Sequence, residues 1–357
     1  MGALLDAADE AVALDMLHEL GCTDGLPVVV PTPERVDRFV LASGLDPDIE
    51  LGEMGPVGGV ATIEKVAANT VMAGCQPDDM PIVVAAIRAL LQPEFDLGEM
   101  QATTHSTAPL IIVSGPAARH AGIAGSFGAL GPGHRANATV GRAVRLCMMN
   151  IGGARPGVSD MALLGHPGKF SFCLAEDEAS SPWAPVHTAF GHDADDSAVT
   201  VLGAEGPHSV LFTNDADDPE SPQRLLRCLA AVIANTGSNN ANFGGGTVAV
   251  ALNPEHAAVL ADAGLDRTDV QVELHRLAAN PRGRLRSLNP GFVRPGDDDQ
   301  LVHAVRSPDH IVVFVAGGSG LYSAVFPSWA AGAHLNPVVH EPIVTGEACE
   351  LPWVTAG

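Results

Sequence analysis

The chain has 357 residues and carries 42 Asp and Glu against 19 Lys and Arg, a formal charge of −23. Such a surface repels phosphate backbones and anionic lipids, so neither nucleic acid nor a membrane is an expected partner. With 46% hydrophobic residues, 39 Gly and 27 Pro, the composition excludes a disordered or coiled-coil chain, and the length suits two domains.

In chain order, residues 1–22 read as an amphipathic helix. Asp6, Asp9, Glu10 and Asp15 interrupt its apolar residues, so it does not resemble a secretion signal. No later stretch is apolar for the length of a membrane span, and a cytoplasmic location is expected. Helical periodicity is expected over residues 33–41, 63–73, 81–91, 139–149, 222–234, 255–263 and 268–278, several opening on Pro or on a Thr, Asn or Asp cap. Strands are expected at 27–30, 109–113, 170–174, 199–202, 248–252, 310–315 and 322–326. Their alternation indicates an α/β fold.

Two segments repeat each other. TAPLIIVSGPAARHAGIAG from Thr107 and GTVAVALNPEHAAVLADAG from Gly246 each read as a buried strand ending at a Pro that opens a helix. GHPGKFS (165–171) and GGSGLYS (317–323) also match, each leading into a strand. The expectation is an internal duplication into two similar α/β halves, residues 1–190 and 198–357, related by a pseudo-two-fold axis with a small-molecule cleft between them.

Residues with chemical potential concentrate between His105 and His187. The glycine loop 128–139 delivers His134 and Arg135 ahead of a helix capped by Asn137, an arrangement able to hold a carboxylate or phosphate. GHPGKFS contributes His166, Lys169 and Ser171, with Lys169 expected as an electrostatic clamp or an amine of lowered pKa. In the second copy Leu321 replaces Lys169 and Gly318 replaces His166, which points to one working half. Cys173, Glu176 and His187 follow nearby.

The six cysteines contain no CxxC pair and are expected as thiols; Cys22, Cys75 and Cys173 are the candidates for nucleophilic work. His105, His134, His166 and His187 lack HExxH-type spacing, so metal ligation is an alternative reading only, and no Walker or GxGxxG fingerprint names a cofactor.

The phrases DGLPVVVPTPERV, EKVAANTVMAGC, GALGPGHRANATVGRA, GHPGKFSFCLAEDE and VAGGSGLYS resemble a bacterial group of largely unassigned function associated with UGSC-type (seleno)cysteine proteins. The resemblance implies thiol or selenol chemistry nearby, although the U/C-G-S-C motif itself is missing here. The combined expectation is an enzyme of redox or lyase type acting on a small anionic molecule. Catalysis is assigned to Lys169, His166 and a cysteine, and binding to His105, His134, Arg135, Asn137, Ser171, Glu176 and His187. A metal-dependent hydrolase and a non-catalytic partner of a thiol or selenol protein are the alternatives, and a homo-oligomer is expected.

Overall fold

A computed structural model describes residues 5–293 and 295–344. The eight main strands are β1 (Ala108–Ser114), β2 (Cys173–Ala175), β3 (Ala198–Ala204), β4 (His208–Leu211), β5 (Val248–Leu252), β6 (Ile311–Val315), β7 (Tyr322–Phe326) and β8 (Val339–Pro342). The larger helices are α1 (Glu10–Glu19), α2 (Pro33–Ser43), α3 (Ile63–Ala73), α4 (Met80–Leu91), α5 (Arg135–Asn150), α6 (Ser221–Ile233), α7 (Pro254–Asp262) and α8 (Arg267–Leu277). Two antiparallel ribbons, Glu50–Met54 with Gly59–Thr62 and Ala279–Pro281 with Leu301–His303, lie outside the main sheets. The α/β expectation holds.

The strands form two four-stranded sheets, ordered β8-β3-β1-β2 and β4-β7-β5-β6. Their directions run alike: β1 is parallel to β2 and antiparallel to β3, which is antiparallel to β8. Likewise β5 is parallel to β6 and antiparallel to β7, which is antiparallel to β4.

Side-chain alternation along the strands fixes how the sheets stack. Ala108, Leu110 and Ile112 of β1 enter one apolar cluster with Ala249 and Ala251 of β5 and Val312 and Phe314 of β6. Their alternates Ile111 and Val113 pack with α2 to α5, whereas Val248, Val250, Ile311 and Val313 pack with α6 to α8. The result is four layers, helix–sheet–sheet–helix. It explains why these strands read as unbroken apolar runs, since both faces are buried and no polar position is left.

Several sequence expectations shift. Residues 27–30 are extended but pair with no strand; Val29 N–H instead donates to Met72 O at 3.2 Å, and the segment lies along α3. Strand β2 begins at Cys173 rather than residue 170. Helix α5 starts at Arg135, with His134 at its N-cap, so Asn137 is not a cap. Its buried amide bonds Ala124 and Ala129 backbone atoms at 2.8–2.9 Å and holds the preceding loop.

The boundary expected between residues 190 and 198 does not separate the sheets. β3 and β8 complete the sheet of β1 and β2, while β4, directly after β3, joins the other. The glycine-turn match is not spatially equivalent either. The turn at 165–171 leads to β2, the parallel neighbour of β1, but the turn at 317–323 leads to β7, an antiparallel neighbour of β5. Comparing Lys169 with Leu321 therefore carries no weight.

Candidate functional site

The space between the sheets is filled by apolar side chains, so the expected cleft there does not form. A cleft of about 600 Å³ instead opens on the first half and is lined by residues between Asp24 and Phe170. Its floor is built by α5 and the loop 154–170. Gly141 lets α5 lie close to that loop's end, because a Cβ there would fall 2.6 Å from Phe172 N.

On α5, Arg142, Arg145 and Met149 stand three and four residues apart and therefore share a face. Arg142 grips Asp24 with two hydrogen bonds of 2.7 and 2.8 Å. Burial alone would raise the Asp24 carboxyl, but the bonds and charge of Arg142 outweigh it and hold it below its ordinary value. Arg145 Nη1 donates to Gln101 Oε1 at 3.1 Å and lies 3.4 Å from Asp160 Oδ2. Lys169 Nζ donates to Asp160 Oδ1 at 2.9 Å and to Thr107 O at 3.3 Å.

Lys169 thus shares one buried carboxylate with Arg145. Its ammonium is pushed below its ordinary pKa, chiefly by burial and next by the Arg145 charge, with Asp160 opposing. His166 is beside it. Its Nδ1 accepts the Gly168 N–H at 3.1 Å, so the neutral ring carries its proton on Nε2. Burial, aided by Lys169 and Arg145, holds the ring below the usual imidazole pKa. Segment 103–107 buttresses this loop: Gly165 N–H donates to Ser106 Oγ at 3.1 Å, and His105 Nε2 lies 2.9 Å from Glu205 Oε1.

Of the residues singled out from sequence, Lys169 and His166 line the cleft. His134 and Arg135 do not. His134 Nε2 bonds Phe127 O at 3.0 Å, and Arg135 is engaged with buried Asp79 at 3.1 Å. Ten residues of helix, roughly 15 Å, separate Arg135 from Arg145. Ser171 Oγ donates to Asn137 O and is structural. Glu176 is buried away from the cleft with Ser114, Val186 N–H and Arg267 as partners. His187 is wholly buried, with Nε2 2.9 Å from Asp193 O.

The thiol expectation meets the same physics. Cys75 and Cys173 are buried with Cys147, and burial drives all three pKa values up, with neighbouring Asp79 adding to the rise at Cys75 and Cys173. Thiolate is disfavoured at each. Cys22 is half-buried and lies two residues from Asp24 at the cleft; Cys349 lies outside the described residues. Among the described residues no three His, Cys, Asp or Glu side chains converge as a metal ion requires. No described helix is long and apolar enough to cross a membrane.

No known family model matches the chain, and no curated protein matches it.

Arg142, Arg145, Gln101 and Asp160 escaped the sequence reading. One signal was present: Arg145 sits in VGRAVRLCMM, amid residues whose apolar spacing marks a buried helix face. A buried arginine there needs a carboxylate nearby.

Proposed function

We propose that the protein is an enzyme acting on a small anionic molecule in the cleft of the first half. Lys169, held as an ammonium by Asp160 and Thr107 O, serves as electrostatic anchor, and the neutral His166 ring beside it is the proton-handling group. The observation that carries this reading is the Arg145–Asp160–Lys169 triad beside His166 in a cleft of ligand size. A neutral imidazole beside a paired ammonium and a guanidinium makes a set suited to moving a proton on a bound anion, as in a lyase or isomerase. Any thiol step in this reading rests on Cys22.

Like strand directions in the two sheets, together with the repeated β1 and β5 segments, support an origin by internal duplication.

The test is turnover of a small-molecule extract followed by mass spectrometry, comparing the natural chain with Lys169→Met. The natural chain is expected to deplete at least one metabolite and Lys169→Met to leave it untouched, with the melting temperature shifted by only a few degrees. Equal depletion by both would remove Lys169 from the chemistry.

A second reading, a companion subunit for a thiol or selenol protein, is favoured by one feature. Leu163 and Leu164 stand 84% and 92% exposed at the cleft rim, with Val158 and Phe170 also open, an apolar surface suited to a protein contact. Co-purification of a second chain that is lost in a Leu163→Ser/Leu164→Ser variant would support it.

A further inference from the structure

We infer that the ligand of this cleft is a small monocarboxylate with an apolar body, an inference that rests on the cleft being the active site. The reasoning starts from charge. Asp160 lies between Arg145 and Lys169, so the floor holds two cations against one carboxylate. The remaining lining carboxylate, Asp24, is neutralised by Arg142. Glu205 faces His166 but does not line the cleft and is bonded to His105. One positive charge is left over in a molecule whose formal total is −23.

Hydrogen-bonding capacity is unbalanced in the same direction. On the residues lining the cleft, Arg145 Nη2 is a buried donor with no acceptor, whereas no buried side-chain acceptor lacks a donor. Both oxygens of Asp160 are already engaged. The floor therefore lacks an acceptor group bearing one negative charge. A carboxylate supplies two oxygens in a plane, able to accept from Lys169 and from Arg145 after a small side-chain adjustment. A dianion would exceed the available charge and leave one unit buried without a partner.

The walls define the rest of the ligand. Met149, Ala154, Ala162, Leu164, Pro167 and Phe170 offer no hydrogen-bonding side chain, so a polar body would lose its water contacts without replacement. A ring or branched hydrocarbon bearing the carboxylate fits both chemistry and size.

Calorimetric titration of the full chain with benzoate, benzamide and phthalate tests this. Benzoate is expected to bind at least about tenfold more tightly than uncharged benzamide and more tightly than the dianion phthalate. In Lys169→Met the floor becomes neutral, and the advantage of benzoate over benzamide should fall below about threefold while benzamide affinity is kept. Leu164→Asp, at a rim position too exposed to affect folding, should weaken benzoate selectively. Benzamide binding as tightly as benzoate, phthalate binding best, or a benzoate preference indifferent to both substitutions would overturn the carboxylate assignment. So would absence of binding by all three probes. Retained turnover in Lys169→Met would instead overturn the reading of the cleft as the active site.

Discussion

Arg267 Nη2 at the start of α8 lies 3.3 Å from Glu176 Oε1 just beyond β2, and this buried contact ties the helical layer of the second sheet to the first sheet. Burial is the largest influence on both partners: it pushes the Glu176 carboxyl up to about 7 and lowers the Arg267 guanidinium, so desolvation outweighs their mutual attraction.

That relationship gives a pH dependence with a definite sign. A carboxyl whose folded pKa lies above its unfolded value stabilises the fold fully at pH below the unfolded value, and the contribution is lost as pH rises through the folded pKa. Stability is expected to decline between about pH 4.5 and 7 on account of Glu176. Calorimetric melting of Glu176→Gln should show this slope flattened. An unchanged slope would assign the decline to other groups.

Arg135→Ala should destabilise without touching the cleft. It strips the cation from Asp79, whose side chain is fully buried and keeps only the Gln76 N–H at 2.7 Å. The cost is expected at about 1.5 kcal/mol, the low end for a charged hydrogen bond because Arg135 is half exposed. Denaturant melts measure the loss, and benzoate affinity should stay within about twofold of the natural chain.

Thiol labelling should divide the cysteines by burial. In a Cys349→Ser chain, Cys22 and Cys228 are expected to react in the native state, and Cys75, Cys147 and Cys173 only after denaturation. Rapid native modification of Cys173 would contradict the packing around β2.

A fourth expectation concerns acid. His192 Nε2 and His340 Nδ1 are 2.9 Å apart, a contact that requires one ring to donate and the other to accept. The His340 ring is held below its ordinary pKa by burial first and by His192 second, with Glu341 opposing. A lowered folded pKa means stability that is present above about pH 6.5 and lost as pH falls. His192→Gln should melt with less loss than the natural chain between about pH 7 and 5. A steeper loss in the variant would show that the pair stabilises the acid form.

Strands buried on both faces were legible because their apolar runs have no other use in a protein of this polarity; β1, β5 and β6 are such cases. Strands β4 and β8 were invisible. HSVL and VHEP are short edge segments with exposed or half-exposed positions, and they look like loops. Residues 27–30 erred in the other direction, apolar because they cover α3 rather than because they pair. The glycine turn marks Lys169 and His166 in the sequence, and both line the cleft. Arg145 was hidden because helix periodicity shows that a residue faces inward but not what meets it there, and its partner Asp160 comes from a loop whose path no local pattern fixes. Arg135 was misread because placing the helix start too late concealed its tie to Asp79 across a long sequence gap.

The return of β8 to the first sheet constrains how the molecule is made. Residues 339–342 pair with residues 198–201, so β3 keeps a row of unpaired backbone groups until residues 339–342 have been synthesised. A fragment ending after β3 would present that open edge permanently and is prone to self-association. The first sheet cannot be cut out cleanly as a working piece, because it takes its outermost strand from beyond all four strands of the second.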